Sequence, residues 1–158
     1  MNERPYESAD LPRVIETYTA SIRVLAAPYY TPEQIAAWAP IPDAARWQER
    51  LAHLHTIVAE SDGLLAGFAS YTLDGYLDFL FTHPAFARDG VASNLYHRVE
   101  SALRAVNTSK VTTLASLAGR PFFDRHGFQL DSEECVECRG AYLRRFAMHK
   151  QLRNERIA

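Results

Sequence analysis

Apolar residues in this chain recur at two spacings, one helical and one extended, and the changes between them mark its elements. Val14, Ile15, Tyr18, Ile22 and Leu25 fall three or four apart, as on a helix with one buried face. Asp10-Leu11-Pro12 ahead of them reads as an N-cap with a proline just inside the helix, and residues 3–8 as a first strand. The helical pattern breaks at Pro28-Tyr29-Tyr30. Thr31-Pro32-Glu33-Gln34 is a capping signature that opens a short helix through Trp38, closed by Pro40 and Pro42. Residues 44–54 give another helix, with Trp47, Leu51 and Leu54 on one side. The period then shortens. Residues 56–59 and 64–73 alternate as strands around a turn at Ser61-Asp62-Gly63, and Asp74-Gly75 makes a second hairpin turn.

Residues 77–96 organise the rest of the chain. Leu77, Phe79, Leu80, Phe81 and Thr82 are bulky or β-branched, suited to a central strand, and His83-Pro84 ends it because proline donates nothing to a ladder. After Gly90, the residues Val91, Ala92, Leu95, Tyr96, Val99, Ala102, Leu103 and Val106 make the apolar face of an amphipathic helix. A loop entering a helix at a glycine leaves the first backbone N–H groups pointing outward at the positive end of the macrodipole, which favours an anion. Arg88 adds a full charge beside it, and Asp89 is placed to act as a cap. Downstream, residues 110–117 predict a strand, residues 119–126 a short helix, and residues 129–138 and 141–152 a hairpin turning at Arg139-Gly140. Asp131, Glu133, Glu134 and Glu137 on its first arm face Arg144, Arg145 and Lys150 on its second. Residues 153–158 are expected to fray.

Composition narrows the class. With 158 residues, 47% of them hydrophobic, the chain reads as one domain over residues 1–158 with room for a substantial core. A net charge of −2 gives no basis for a nucleic-acid partner. No apolar run approaches a membrane span, and MNERPYESAD lacks the hydrophobic region of a signal peptide, so no membrane partner and a cytoplasmic location are expected. Cys135 and Cys138 form a C-x-x-C, but residues three apart on a strand point to opposite faces and no second cysteine pair follows. Strand packing is the expected role, with no metal.

Two blocks carry a family resemblance. The strand, the Pro-containing turn and Arg88-Asp89-Gly90-Val91-Ala92 opening a helix resemble motif A of the GNAT N-acetyltransferase superfamily, [Q/R]-x-x-G-x-[G/A]. Gly90 and Ala92 match, Ala87 stands where Gln or Arg is usual, and Asp89 where a basic residue or glycine often lies. Ser116–Phe128 (SLAGRPFFDRHGF) resembles motif B, N-x-x-A-x-x-x-Y-x-x-x-G-F, with Ser116 at the Asn, Gly119 at the Ala, Phe123 at the Tyr, and Gly127-Phe128 identical. The nearest likeness is to bacterial acetyltransferases with P-F-F in motif B. The resemblance implies an α/β (α+β) fold with a mixed, mostly antiparallel central sheet flanked by helices, in which an amine attacks the thioester of acetyl-CoA directly. It implies that Arg88, Asp89, Gly90, Val91, Ala92 and Ser93 hold the pyrophosphate, that Leu80, Phe81 and Thr82 offer main chain to the pantetheine arm, that Ser116 reaches its amides, and that Phe122 and Phe123 wall the channel. A homodimer, frequent in the superfamily, is a further expectation.

The acceptor, a small-molecule amine, would meet apolar walls with a few hydroxyls. Tyr29, Tyr30, Trp38 and Tyr71 are the candidates, although Tyr29, Tyr30, Trp38 and Trp47 equally suit packing of short helices on a sheet. Strict alternation puts Tyr76, Asp78, Leu80 and Thr82 on one face of the pivotal strand. An acid in an apolar strand is costly to bury unpaired, so Asp78 is a candidate general base, with capping or pairing to a basic side chain on a neighbouring strand as its structural alternative. His83 has a suitable pKa, but its place beside Pro84 suits a structural role. Many relatives use the motif B tyrosine as acid, and Phe123 has no proton to give. Tyr142, Tyr71 or water would then substitute, the thiolate would leave without a dedicated acid, or the domain binds acyl-CoA without catalysis. A dinucleotide-binding fold fits less well, since the loop has one glycine and hairpins precede it.

Overall fold

The computed structural model describes residues 1–152; the fraying expected at residues 153–158 lies outside them. Seven strands form β1 (Asn2–Pro5), β2 (His55–Ser61), β3 (Leu64–Tyr71), β4 (Tyr76–Thr82), β5 (Lys110–Ser116), β6 (Gln129–Cys138) and β7 (Ala141–Gln151). The helices are α1 (Leu11–Leu25), α2 (Pro32–Trp38), α3 (Ala44–His53), α4 (Val91–Ala105) and α5 (Arg120–Arg125). The strands make one sheet in the order β1-β2-β3-β4-β5-β7-β6, antiparallel at every pairing except β4 with β5. This is the mixed sheet that the resemblance implies, and its single parallel pair follows from α4, which carries the chain across to β5.

Helices cover both faces. On one, Leu95, Tyr96, Val99 and Leu103 of α4 pack on Ala66, Ala69, Leu77, Val111 and Met148 of the sheet. On the other, Val14, Tyr18 and Ile22 of α1 and Leu51 of α3 pack on Val58, Phe68, Phe79 and Leu143. Val14, Tyr18 and Ile22 of α1 and Leu95, Tyr96, Val99 and Leu103 of α4 are thus buried as their spacing predicts, whereas Val106 lies just past the end of α4 and is exposed. Thr31 caps α2 as read from the sequence, its Oγ1 accepting from the Gln34 N–H at 3.2 Å while the Gln34 side chain takes the Thr31 N–H at 2.8 Å.

Several local expectations are corrected. β1 ends at Pro5, and Ser8–Asp10 is a 3-10 turn rather than part of a strand. Asp10 does not cap α1. Its carboxylate accepts from Arg4 through both terminal nitrogens at 2.8 Å, from Arg13 at 2.8 Å and from the Glu7 N–H at 2.8 Å, and these donors outcompete the helix end. Asp89 is no cap either, since Gly90 holds that position with φ of 80° and no side-chain cap bond. In the last hairpin Glu133 pairs with Arg144 and Glu134 with Arg145, as expected. A register shift between Leu130 and Ser132, however, leaves Asp131 against His149 at 2.7 Å, Lys150 turns to Glu100 of α4 at 2.9 Å, and Glu137 faces Tyr142.

Strict alternation fails in β4. Ser70 of β3 faces Phe79 and Tyr71 faces Leu77, so Asp78 is an extra residue in the ladder, a β-bulge. Leu77 and Leu80 consequently join the core under α4, while Phe79 and Phe81 join the core under α1. Asp78 does not share a face with Leu80 and Thr82; it lies on the side of α3, paired with Arg50.

Candidate cofactor and acceptor site

β4 and β5 pair only at Tyr76–Thr112 and Leu77–Thr113, although both strands continue beyond. Thr113 Oγ1 donates to the Leu77 carbonyl at 2.9 Å, fixing the last paired position. The strands then part, and the edge of β4 that faces β5 carries backbone groups without a ladder partner there. A cavity of about 190 Å³ occupies the opening. Leu80, Phe81 and Thr82 line one side, Ser116, Gly119, Phe122 and Phe123 the other, with Trp38 and the α1 residues Ser21, Ile22 and Leu25 beneath.

Ala92 joins this cavity to the end of α4. Ahead of it, Arg88 and Gly90 both adopt left-handed backbone, with φ of 68° and 80°. The first intrahelical bond of α4 runs from the Asn94 N–H to the Gly90 carbonyl at 3.0 Å. The N–H groups of Val91, Ala92 and Ser93 are therefore free of the helix ladder at its positive end, an anion-binding arrangement, although Val91 itself is buried. Arg88 is exposed and makes no ion pair among the described residues, leaving its charge available at the same end; Asp89, also exposed, opposes it.

Among the motif B residues, Ser116 Oγ accepts from the Gly119 N–H at 2.9 Å, which leaves its own proton free to donate into the cavity. Phe123 is 6% exposed and presents an apolar ring where a phenol would stand in the family pattern. Among the described residues, no acid, base, tyrosine or cysteine lines the cavity. Among the described residues, no three His, Cys, Asp or Glu side chains converge so as to hold a metal ion. Cys135 and Cys138 are free thiols, and Cys138 Sγ donates to the Ala37 carbonyl at 3.4 Å. No helix among the described residues is long and apolar enough to cross a membrane.

Of the residues expected to bind acetyl-CoA, Leu80, Phe81, Thr82, Ala92, Ser116, Phe122 and Phe123 line this one cavity, with Trp38 among them, while Arg88, Asp89, Gly90, Val91 and Ser93 flank Ala92 without lining it. Other candidates are placed elsewhere. Tyr142 is 63% exposed near the tip of the last hairpin and does not line the cavity, so it is not positioned as the acid. Tyr71 stacks on His55 in a different groove, near Tyr6 and Arg98, at the opposite end of β4. Tyr29 is 49% exposed on the turn after α1. Tyr30 is buried, its hydroxyl donating to the Arg144 carbonyl at 2.9 Å and accepting from the Leu117 N–H at 2.9 Å. It is a cross-link between the end of β5 and β7 and has no capacity to spare for an acceptor. Tyr30→Phe is expected to cost about 2 kcal/mol, because both backbone groups lose their partner; urea unfolding would measure it, and an unchanged midpoint would mean water replaces the hydroxyl.

Asp78 meets Arg50 in a bidentate pair at 2.7 and 3.0 Å, and the guanidinium lies 4.5 Å over the Phe79 ring. The alternative role expected a basic partner on a neighbouring strand; the partner found is Arg50 of helix α3, which packs on this face of the sheet beside the bulge. His83 caps the turn before α4, its Nδ1 accepting from the Ala85 N–H at 3.1 Å. Behind the cavity Tyr18 touches Trp47 at 4.6 Å and Phe81 at 4.8 Å, and burial pushes its phenol up to about 12. Sequence reasoning misses Ser21, Ile22 and Leu25 as site residues because they belong to the helical repeat of α1, which reads as core. It misses His126 too, although this residue sits inside motif B. Its Nε2 lies 3.2 Å from Ser93 Oγ at the start of α4.

Comparison with known proteins matches residues 26–158 to a family described as the acetyltransferase (GNAT) domain. The chain is 37% identical over 145 residues to YafP, an uncharacterized N-acetyltransferase of Escherichia coli strain K12, covering 92% of each protein. Its fold is similar to that of a Rhodopseudomonas palustris protein described as a GCN5-related N-acetyltransferase (aminotransferase, class-II), with a TM-score of 0.91 and 30% identity over 95% of this chain and 94% of the other. PaiA N-acetyltransferase of Thermoplasma acidophilum, in complex with coenzyme A, shares the fold at a TM-score of 0.77 and 17% identity, covering 95% of this chain and 98% of that one.

Proposed function

Since the chain belongs to the GNAT acetyltransferase family, an acetyl-CoA-using family of enzymes, we propose that it moves the acetyl group of acetyl-CoA to a primary amine of a small molecule, by direct attack in a ternary complex. The observation that carries this reading is the parting of β4 from β5 over a cavity that ends, at Ala92, beside the outward N–H groups of α4. An extended thioester with an anionic tail fits that sequence of surroundings. Its pyrophosphate meets Val91, Ala92, Ser93 and the Arg88 charge, its pantetheine amides meet unpaired β4 backbone and the Ser116 hydroxyl, and its acetyl end reaches the Ile22 and Trp38 floor.

In the reaction, the neutral amine nitrogen forms a bond to the thioester carbonyl carbon, the tetrahedral oxyanion collapses, the C–S bond breaks, and CoA leaves as a thiolate. The amine proton has to go elsewhere. With no titratable side chain lining the cavity, the base acts from outside it, and Asp78, at the point where β4 leaves β5, is the carboxylate proposed to receive the proton through water. The thiolate needs little help, since a thiol is a far stronger acid than an alcohol or an amine and its anion a tolerable leaving group near neutral pH, and water can stabilise it.

Asp78→Asn is expected to lower kcat by about a hundredfold or more, as loss of a general base does, with the acetyl-CoA Kd from calorimetry unchanged. An Asn variant of undiminished kcat would leave Asp78 only its pairing with Arg50. The same apolar lining favours a second reading, an acyl-CoA-binding domain without catalysis. Acetyl-CoA binding with no turnover of any amine in a broad panel would establish that reading instead.

A further inference from the structure

We infer that His126 is a positioning residue that ties acetyl-CoA affinity to pH by deciding which way the Ser93 hydroxyl donates. The inference rests on the proposed placement of the pyrophosphate at the start of α4. His126 follows α5, and its ring is held on three sides. It stacks on Phe122 at 4.0 Å, its Nδ1 lies 2.9 Å from the Phe122 carbonyl, and its Nε2 lies 3.2 Å from Ser93 Oγ. A carbonyl oxygen only accepts, so Nδ1 carries a proton in either charge state. Nε2 is then an acceptor when the ring is neutral and a donor when it is charged.

Ser93 is the third residue of α4, so its hydroxyl stands with the free N–H groups around the proposed anion site. With His126 neutral, the Ser93 proton is committed to Nε2 and the oxygen turns only lone pairs toward a phosphate. With His126 charged, Nε2–H donates to Ser93 Oγ, the Ser93 proton is released toward the phosphate, and a positive charge sits behind it. The two states differ in hydrogen-bond direction without any movement of heavy atoms. The other titratable groups facing this ring are His97, with ring centroids 5.7 Å away, and Tyr96 at 5.7 Å, both on α4; the Tyr96 hydroxyl is committed to Glu100. From β7, Lys150 approaches the adjacent Gly127 but is itself paired with Glu100. Arg120, Asp124 and Arg125 share α5, the first two paired with each other, and exposed Arg88 and Asp89 lie on the loop before α4.

The experiment is calorimetric titration with dephospho-CoA between pH 5.5 and 8.5, because this probe keeps the pyrophosphate and lacks the 3′-phosphate that titrates in the same range. Affinity is expected to be about tenfold greater at the acid end, the value of one charge-assisted hydrogen bond. His126→Phe, which keeps the stack on Phe122, and Ser93→Ala are each expected to flatten this profile toward the weaker limit. A slope that survives in His126→Phe, or binding that is independent of pH in the wild type, overturns this inference alone. Failure of dephospho-CoA to bind at every pH overturns the acetyl-CoA reading and this inference together.

Discussion

Gly67→Val is expected to cost about 3 kcal/mol of stability, at the upper end for overpacking a core, and to weaken acetyl-CoA binding by about tenfold or more. Gly67 lies in β3 opposite Thr82 of β4, directly beneath the start of α4. A Cβ there would sit 2.8 Å from the Phe81 carbonyl oxygen, 2.8 Å from Val91 Cγ1 and 3.2 Å from Leu95 Cδ1. The first of these is backbone, which has no rotamer to yield. A valine must therefore drive β4 and α4 apart. Their meeting forms both the cavity wall and the anion-binding end of the helix, so one substitution injures packing and binding together. Urea unfolding and acetyl-CoA calorimetry on the same variant would check it. A folded variant with wild-type affinity would show that the close approach at Gly67 does not hold α4 in place.

Asp10→Ala should destabilise the fold by about 3 kcal/mol, as breaking a buried ion pair does. Asp10 is 2% exposed, and Glu60 shares Arg4 and Arg13 with it, so the network ties β1, α1 and β2 together. Hydrogen bonds from Arg4 first, with the Glu7 N–H and Arg13 adding and burial opposing, bring the Asp10 carboxyl down from 3.8 to about 2. Glu60 is lowered by the same two arginines. A carboxylate whose folded pKa lies below its unfolded one stabilises the protein above the unfolded value and loses that contribution as pH falls through the folded value. For Asp10 the shift corresponds to about 2 kcal/mol at neutral pH. The stability difference between wild type and Asp10→Ala should stay constant from pH 7 to about 5 and shrink between about pH 4 and pH 2. A difference that persists undiminished at pH 2 would place the effect in packing and not in charge.

Much of this architecture is legible locally. The stripe of α1, the Thr31–Gln34 capping box and the turn at Gly90 each depend on residues within a few positions of one another, and all three appear where the pattern puts them. The charge pattern of the last hairpin predicts only part of its pairing, because a single register shift after Leu130 is enough to hand Asp131 to His149. The two motif blocks bring the proposed cofactor channel into view for the same reason of locality: strand end, loop and helix start are contiguous in the chain, and their chemistry is largely backbone chemistry.

The acceptor side is not legible in the same way, and the reasons are particular. Tyr30 and Tyr71 look like pocket residues by type, but a hydroxyl's availability depends on what lies opposite it, here Leu117 and Arg144 for one and the far end of β4 for the other. Counting in twos assigns Asp78 a face, and that count holds only while each residue of β4 has one partner in β3. The bulge breaks it, and a bulge arises from pairing between strands, which the order of residues within β4 does not encode. The elements, their order and the anion-binding turn are thus written in the chain itself, since helix period, capping and glycine geometry act over a few residues. Which side chains share the cavity, and which are already committed elsewhere, is settled by tertiary packing, because burial and hydrogen-bond partnership are made by segments distant in the chain.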